Sequence, residues 1–416
     1  MNLGSALTGN MSKRFDVVIV GAALNGLAAG LALGGPRARR PLSVAIIDVA
    51  NPYEKIANAR DARASALTSS TKRMFEALGV WDHISAQTQD MREIIVTDGE
   101  PTLLQFGDVN TTQASTACMI ENHVLLEGLL KTIEQSAHIA LITGHAVTEQ
   151  HFGPGLATLT LANGEQITSN LVVAADGGKS PIRQAAGIEF VGWAYDQMGL
   201  VASFEHELPH HGRAEEHFTP SGPFAVLPLV GNRSSIVWTK GTAEGKRLQV
   251  QSPTDFETEL QKQVGTHLGK ITLIGKQQGY PLSMLFAKEF HGVRLALVGD
   301  AAHVIHPLAG LGLNLGLRDA AALAECVGDA YALGQDIGGT PVLERYSAWR
   351  RFDTVATAAT MDGINRLFSN DNPFLRIVRD LGLKATNQIG GLKHAFEREA
   401  AGQTGSLPRL LRGELI

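Results

Sequence analysis

The segment from Val293 to Asp319, V-R-L-A-L-V-G-D-A-A-H-V-I-H-P-L-A-G-L-G-L-N-L-G-L-R-D, restricts the possible folds more than any other stretch of the chain. Its apolar run through Val293, Leu295, Ala296, Leu297 and Val298 stops at Gly299, the pattern of a buried strand in an α/β sheet. Asp300 follows at once. An acid at the carboxyl end of such a strand stands in the crevice where open α/β sheets bind ligands, and it can accept hydrogen bonds from sugar-like hydroxyls. His306-Pro307 then breaks regular structure, and Gly310 and Gly312 let the backbone approach a flat ligand. From Asn314 to Ala324 helical spacing resumes through Leu315, Leu317, Ala321 and Leu323. The helix therefore starts at the ligand, where its free N–H groups and positive dipole end stabilise negative charge.

Two other stretches repeat this grammar of strand, turn and helix. Phe15 to Val20 is a buried strand that runs into G-A-A-L-N-G and an amphipathic helix from Leu24 to about Leu33. Gly21 makes the tight turn and Gly26 allows close helix packing, while Ala23 replaces the glycine that lets backbone meet a pyrophosphate. A second strand, Val44 to Ile47, ends in Asp48, the acid expected at a ribose hydroxyl. Later, Leu171 to Ala175 ends in Asp176-Gly177-Gly178-Lys179-Ser180-Pro181-Ile182-Arg183. Here an acid and two glycines precede a helix start and an arginine able to meet phosphate.

The pattern G-D-A-A-H-x-x-H-P-x-A-G-x-G-x-N-x-G-x-x-D resembles the second flavin motif of the class A FAD-dependent aromatic hydroxylases, and within them that of the ubiquinone-biosynthesis hydroxylases. The resemblance covers most of the chain, down to G-Q-T-G-S-L-P-R-L-L-R-G near its end. It implies an α/β fold in which a Rossmann-like FAD-binding domain of the para-hydroxybenzoate-hydroxylase kind is interleaved with a β-sheet substrate domain and C-terminal helices. It also implies FAD as cofactor and NADH or NADPH as reductant. A flavin C4a-hydroperoxide would then pass oxygen to the ring of a polyprenyl phenol or quinone precursor. By the same resemblance Gly299, Asp300 and the stretch Gly310, Leu311, Gly312, Leu313 and Asn314 line the flavin, and the Pro307 carbonyl faces the substrate. Arg63, in D-A-R-A-S-A-L, lies near the cofactor, as does His123, where the family often has Arg or Gln. Leu311 stands where the family usually has Gln.

The organisation expected is 11–90 for the first part of the FAD-binding domain, 91–118 for the first part of the substrate domain and 119–189 for the second FAD part. The substrate domain then resumes over 190–283, the FAD-binding domain over 284–340, and a C-terminal helical region fills 341–416. Ile94 to Val96 and Leu103 to Phe106 read as paired strands around Asp98-Gly99, and Met119 to His123 reads as the start of a helix continuing through Val124, Leu125, Leu129 and Leu130. Asn163-Gly164 and Gly231-Asn232 read as hairpin turns. Tyr346 to Phe368 and Asn372 to Lys384 read as helices. Trp193, Phe218, Phe224 and Trp238 are aromatic candidates for the substrate lining, although strand aromatics are more often core.

Composition closes several alternatives. A net charge of −5 with 19% charged residues argues against a nucleic-acid binder. Two distant cysteines, Cys118 and Cys326, support neither a disulfide framework nor a thiolate metal site, and a reducing cytoplasm is the expected compartment. No apolar run has membrane-spanning length, so a lipid-tailed substrate implies peripheral contact with the inner membrane face or a biosynthetic complex. Histidines 206, 210, 211 and 217 lack the fixed spacing of metal ligands, and no metal is expected. Two alternatives stay open: hydroxylation of a small soluble phenol, and a non-catalytic FAD-fold subunit of a biosynthetic assembly.

Overall fold

The computed structural model describes residues 13–57, 63–97, 102–107, 115, 117–305, 311–368, 402 and 405–416. The expectations for Asp61, the Asp98-Gly99 turn, His306, Pro307, Gly310 and a helix over 372–384 lie outside the described residues.

Three sheets organise the chain. The first holds β1 (Lys13–Val20), β2 (Val44–Asp48), β8 (Ile139–Thr143), β9 (Val147–Phe152), β10 (Ala157–Leu161), β11 (Gln166–Ala174), β17 (His291–Gly292) and β18 (Leu295–Leu297). Its centre is parallel, in the order β18-β11-β1-β2-β8, with β10 antiparallel on β11. The second sheet runs β19 (His303–Val304), β16 (Ile271–Ala287), β12 (Phe190–His206), β15 (Arg233–Gly241), β14 (Gly222–Leu229), β13 (Arg213–Thr219), β5 (Glu93–Thr97) and β6 (Thr102–Gly107). All its pairs are antiparallel except β13 with β5. A three-stranded ribbon of β3 (Ala64–Thr68), β7 (Ala117–Glu121) and β4 (Gln89–Met91) lies between them in sequence.

Helices cover the parallel sheet. From Gly26 onward, α1 (Leu24–Gly34) is buried at every residue, between the sheet and α9 (Leu311–Ala332), which is why it is apolar all round. On its other side α5 (Asn122–Ile133) packs, flanked by the short helices α2 (Pro52–Ala57) and α4 (Trp81–Ile84). The helix α3 (Ser69–Leu78) is bounded as its sequence dictates: the Thr68 hydroxyl caps its start, and Gly79, at φ 83°, closes it in the left-handed conformation. A five-residue helix, α6 (Pro181–Ala185), follows β11. Over the second sheet, α7 (Thr242–Gln249) and α8 (Pro253–Val264) seal a separate core with Leu200, Phe204, Phe224, Ile236, Trp238 and Phe256. Finally α10 (Thr340–Phe368) packs on α9.

Three expectations are corrected. Met119, Ile120 and Glu121 do not open a helix; they end strand β7, paired with β3, and the helix begins at Asn122. The apolar run passes from strand to helix with no glycine or proline to mark the change. Phe224 and Trp238 do not line a cleft, because they stack edge-on at 5.5 Å beneath α7 and α8. Arg183 does not reach for phosphate: it is buried, donates to the carbonyls of Gly178 and Ala301, and lies 3.5 Å over the Phe190 ring. Burial lowers its pKa, against the pull of Asp176.

Candidate cofactor site and substrate cleft

The carboxyl ends of β1, β11 and β18 meet at one crevice, because these strands are adjacent and parallel. After β1, Gly21 adopts φ +114°, and a Cβ there would fall 2.3 Å from the Ala175 carbonyl oxygen. Only glycine fits. A Cβ on Gly26 would likewise fall 1.9 Å from the Gly21 oxygen. Ala23 is the N-cap of α1 in an unstrained extended conformation, exposed and without a side-chain cap, and no acid stands in the first turn. The first N–H groups of α1 thus face the crevice without an internal anion, which suits a pyrophosphate.

Asp48 has a task within the fold. Its Oδ2 accepts from the Ala22 N–H at 2.7 Å and its Oδ1 from the Ala50 N–H at 2.8 Å, so it staples the glycine turn to the end of β2. Asp176 is less satisfied. One oxygen accepts a long 3.4 Å bond from the Ile182 N–H, while Oδ1 is buried without a partner. Burial raises its carboxyl pKa, against the hydrogen bond from Ser180. An orphaned buried oxygen calls for a donor, and a cofactor hydroxyl is one. Beside it Gly177, at φ +88°, leaves open space where a side chain would stand.

Asp300 sits in the single 3₁₀ turn after β18. Its recess admits solvent, yet the protein around it removes enough bulk water to raise its carboxyl, while His303 and Arg63 pull the other way. Arg63 stands 5.6 Å over the Tyr280 ring. Its carbonyl accepts from the Asn122 N–H at 3.0 Å, which sets His123, half-buried in the first turn of α5, beside it. Sequence-distant Arg63, His123 and Asp300 are therefore brought to the same side of the crevice.

The helix α9 begins at Leu311, three residues before the expected resumption at Asn314. Gly312 and Leu313 are half-buried in its first turn. The Asn314 side chain turns inward: it donates to the Ala66 carbonyl at 2.6 Å and accepts from the Thr68 N–H and the Thr71 hydroxyl. Its amide ties α9 to the β3–α3 junction.

Two features escaped the sequence reading. Asn25 is wedged where Cβ atoms on Gly299, at φ +62°, and on Gly316 would each fall 2.3 Å from its Nδ2, so the three positions interlock the first and last motifs. Its Oδ1 is buried without a partner. Beneath the turn, Asp319 is fully buried and accepts from the Gly299 N–H at 3.1 Å, lies 2.6 Å from His303 Nε2, and pairs with Arg350 Nε at 2.7 Å. Burial alone would raise Asp319, but His303 and Arg350 hold it below the ordinary carboxylate range. Arg350 also pairs with Asp353, which binds Arg318 at 2.8 Å. The partner arginine lies 31 residues on, in α10, where no local motif signals it.

The histidines clustered on and around the second sheet are engaged within the fold. His206 donates to the Leu208 carbonyl, His210 to the Leu229 carbonyl, and His217 and His267 both pair with Glu215. Among the described residues no group of three His, Cys, Asp or Glu is placed to hold a metal ion.

A glycine turn at a helix start, joined by acids at the ends of neighbouring parallel strands, defines a dinucleotide-binding protein, and the orphaned Asp176 oxygen, the uncapped α1 and the recess at Asp300 fit FAD. Residues 14–360 match the family model described as FAD binding domain. The chain is 38% identical to the ubiquinone hydroxylase UbiL of Rhodospirillum rubrum over 98% of its own length and 95% of that protein's. It is 34% identical to the 3-demethoxyubiquinol 3-hydroxylase of Escherichia coli, across 93% of this chain and 98% of that one. The crystal structure of p-nitrophenol 4-monooxygenase PnpA from Pseudomonas putida DLL-E4 shares the fold, with a TM-score of 0.78 at 18% identity, covering 95% of this chain and 100% of that chain. The chain belongs to the FAD-dependent aromatic hydroxylases, in the group of the ubiquinone-biosynthesis hydroxylases, and is a FAD-dependent monooxygenase. No helix among its described residues is long and apolar enough to cross a membrane.

Proposed function

We propose that this enzyme hydroxylates the aromatic ring of a neutral polyprenyl phenol or quinone precursor in ubiquinone biosynthesis. The observation that carries the reading is the 38% identity to a ubiquinone hydroxylase along nearly the whole of both chains. The second sheet supports it: half-buried Val96, Leu227 and Val237 stand on the face turned to the cofactor side, an apolar surface of the kind a prenylated ring needs.

Bound FAD, reduced by NADH or NADPH, supplies the activation of O₂ and the insertion of one oxygen atom into the ring. The protein's part is orientation and exclusion of water. In this reading the α1 start with Gly21, Ala23 and Gly26 takes the pyrophosphate, Asp48 adds a ribose contact to its staple, and Asp176 with Gly177 and Asp300 takes cofactor hydroxyls. Arg63 and His123 border the flavin, as do Gly299 and the Leu311–Asn314 turn, whose N–H dipoles stabilise charge on the reduced ring. The motif assigns Gly310 to the same edge and the Pro307 carbonyl to the substrate. The division into FAD-binding parts at 11–90, 119–189 and 284–340 and substrate parts at 91–118 and 190–283 belongs to the same proposal, as does peripheral membrane or complex contact for a lipid-tailed substrate.

The test is anaerobic reduction of the purified yellow protein by NADH and by NADPH, with and without an alkylphenol, followed by O₂ and product analysis. Phenol-stimulated reduction and a ring-hydroxylated product are expected. A FAD-loaded enzyme that consumes reductant and releases only hydrogen peroxide, whatever phenol is supplied, overturns the reading.

A further inference from the structure

The register of the second sheet lays out one row of side chains on its cleft face. Gln278 on β16 pairs with Val201 on β12, Val201 with Val237 on β15, Val237 with Ala225 on β14, Ala225 with Glu216 on β13, and Glu216 with Val96 on β5. In this row four members are apolar, Gln278 is engaged by the Tyr280 hydroxyl at 2.6 Å, and the one ionisable group is Glu216.

Its orientation follows from alternation. The neighbouring His217 stacks on Phe224 and bonds Thr97 on the helix-covered side, so Glu216 points to the opposite face. Ala214, two residues earlier on that face, packs with Leu229 against Ala66 and Met119 of the ribbon. Tyr280, two residues beyond Gln278, meets Arg63. The face carrying Glu216 is therefore the one turned to the cofactor side.

Glu216 is half-buried and has no hydrogen bond or ion pair with any described residue. Neither of its oxygens is sealed from solvent, so the carboxyl is open to a hydrogen-bonding ligand on an otherwise mostly apolar wall. Burial, only partly opposed by His217, pushes its pKa up to about 7, so acid and carboxylate are both present near neutrality. As carboxylate it accepts a phenolic O–H; as acid it donates to a ring carbonyl. The row supplies no cation to meet a substrate carboxylate.

Resting on the phenol-hydroxylase reading above, we propose that Glu216 holds a ring oxygen of the substrate and selects neutral phenols and quinones over aromatic acids. Its removal weakens neutral substrates, and its charge repels carboxylated ones.

The test is titration of the FAD-loaded enzyme with ortho-hexylphenol and with the same phenol carrying a ring carboxylate, read by the flavin absorbance change, together with turnover of each. Wild type is expected to prefer the neutral phenol by about tenfold or more. Glu216→Ala should lose about tenfold in affinity for that phenol. Glu216→Gln, which keeps a hydrogen-bonding group without charge, should retain phenol binding and lose most of the discrimination, and Glu216→Lys should reverse the preference. The flavin spectrum and thermal midpoint of each variant confirm folding. A wild type that prefers the neutral phenol, with variants that leave preference and affinity unchanged, overturns the role of Glu216 alone. A wild type that binds and hydroxylates the carboxylated phenol in preference overturns both this inference and the reading beneath it.

Discussion

The glycine turns of the parallel sheet and the cleft face of the second sheet, the proposed cofactor and substrate sides, are built on opposite principles. Under the cofactor turn, Asp319, His303 and Arg350 form a fully buried ionic cluster that fixes the Gly299 N–H, and Asn25 locks against two glycines. Across the cleft, the second sheet shows a mostly apolar row whose one carboxyl has no hydrogen bond or ion pair among the described residues. A buried ion pair is seldom a net gain in stability over an apolar equivalent, but it holds one geometry stiffly and tolerates the loss of no member. An apolar wall can be recut by single substitutions at modest cost. The difference predicts that the turn proposed to hold the cofactor does not vary without loss of fold, whereas substrate choice, as proposed for the cleft face, rests on a few exchangeable side chains.

The strongest way to break that contrast is Asp319→Asn. Removing the carboxylate leaves Arg350 buried with Asp353 as its remaining acid, at an expected loss of about 3 kcal/mol with weakened FAD retention. Denaturant unfolding and flavin release on gel filtration measure both. A loss below about 1 kcal/mol with FAD retained would mean that the cluster is decoration and not foundation. On the substrate side the matching large effect should come only from the sealed face. Phe224→Ala opens a cavity among Trp238, Phe256 and Ile236, with an expected cost of about 3 kcal/mol and an unchanged flavin spectrum. A shift in that spectrum would show that the dry core of the sheet reaches the cofactor after all.

The turns and strand ends of the parallel sheet were legible in the sequence, and much of the second sheet was not. Gly21, Gly26, Asp176 and Asp300 could be read because a tight turn or an acid at a strand end demands particular residue types at fixed spacing. The ionic cluster could not, since Asp319 and Arg350 are joined by helix packing and not by spacing. On β14 both faces are largely apolar and on β15 both mix polar and apolar residues, so a period of two gives the alternation but not which face is open; Phe224 and Trp238 look as suited to a cleft as Ala225 and Val237 do. Glu216 was hidden for a related reason. In E-E-H, Glu215 serves two histidines on one face while Glu216 faces the cleft, and as letters the two acids are the same.

Those two acids sharpen the comparison through pH. Glu215 lies between His217 and His267; burial would raise it, but the two imidazoles hold it down, from the ordinary 4.5 to about 2, and His267 is raised in return, first by its hydrogen bond to Glu215. For the depressed acid, stabilisation is present above its unfolded pKa and is lost as pH falls through about 2. For the raised histidine, stabilisation is full below its unfolded pKa and fades as pH rises through its folded one. Glu215→Gln should therefore cost about 1 kcal/mol near pH 6, discounted for the half-exposed His267 ring, and progressively less toward pH 9. Unfolding of both proteins across that range checks the sign, and a cost that grows with pH would reverse it.

The smallest stability effect, and the most pointed test of the contrast, is Val237→Ala. Val237 occupies a central strand yet is only half-buried, which places its methyl groups on the cleft and not in a core. Trimming it removes little packed surface, so unfolding free energy should fall by less than about 1 kcal/mol. A substrate that fills the cleft loses contact with those methyls both before and during reaction, and uniform binding of this kind raises KM while leaving kcat in place. The expected result is a KM for a long-tailed alkylphenol a few-fold higher, with kcat and FAD affinity unchanged. A fall in kcat at constant KM would place Val237 against the reacting ring instead, and would move the boundary between exchangeable wall and fixed machinery one strand deeper into the sheet.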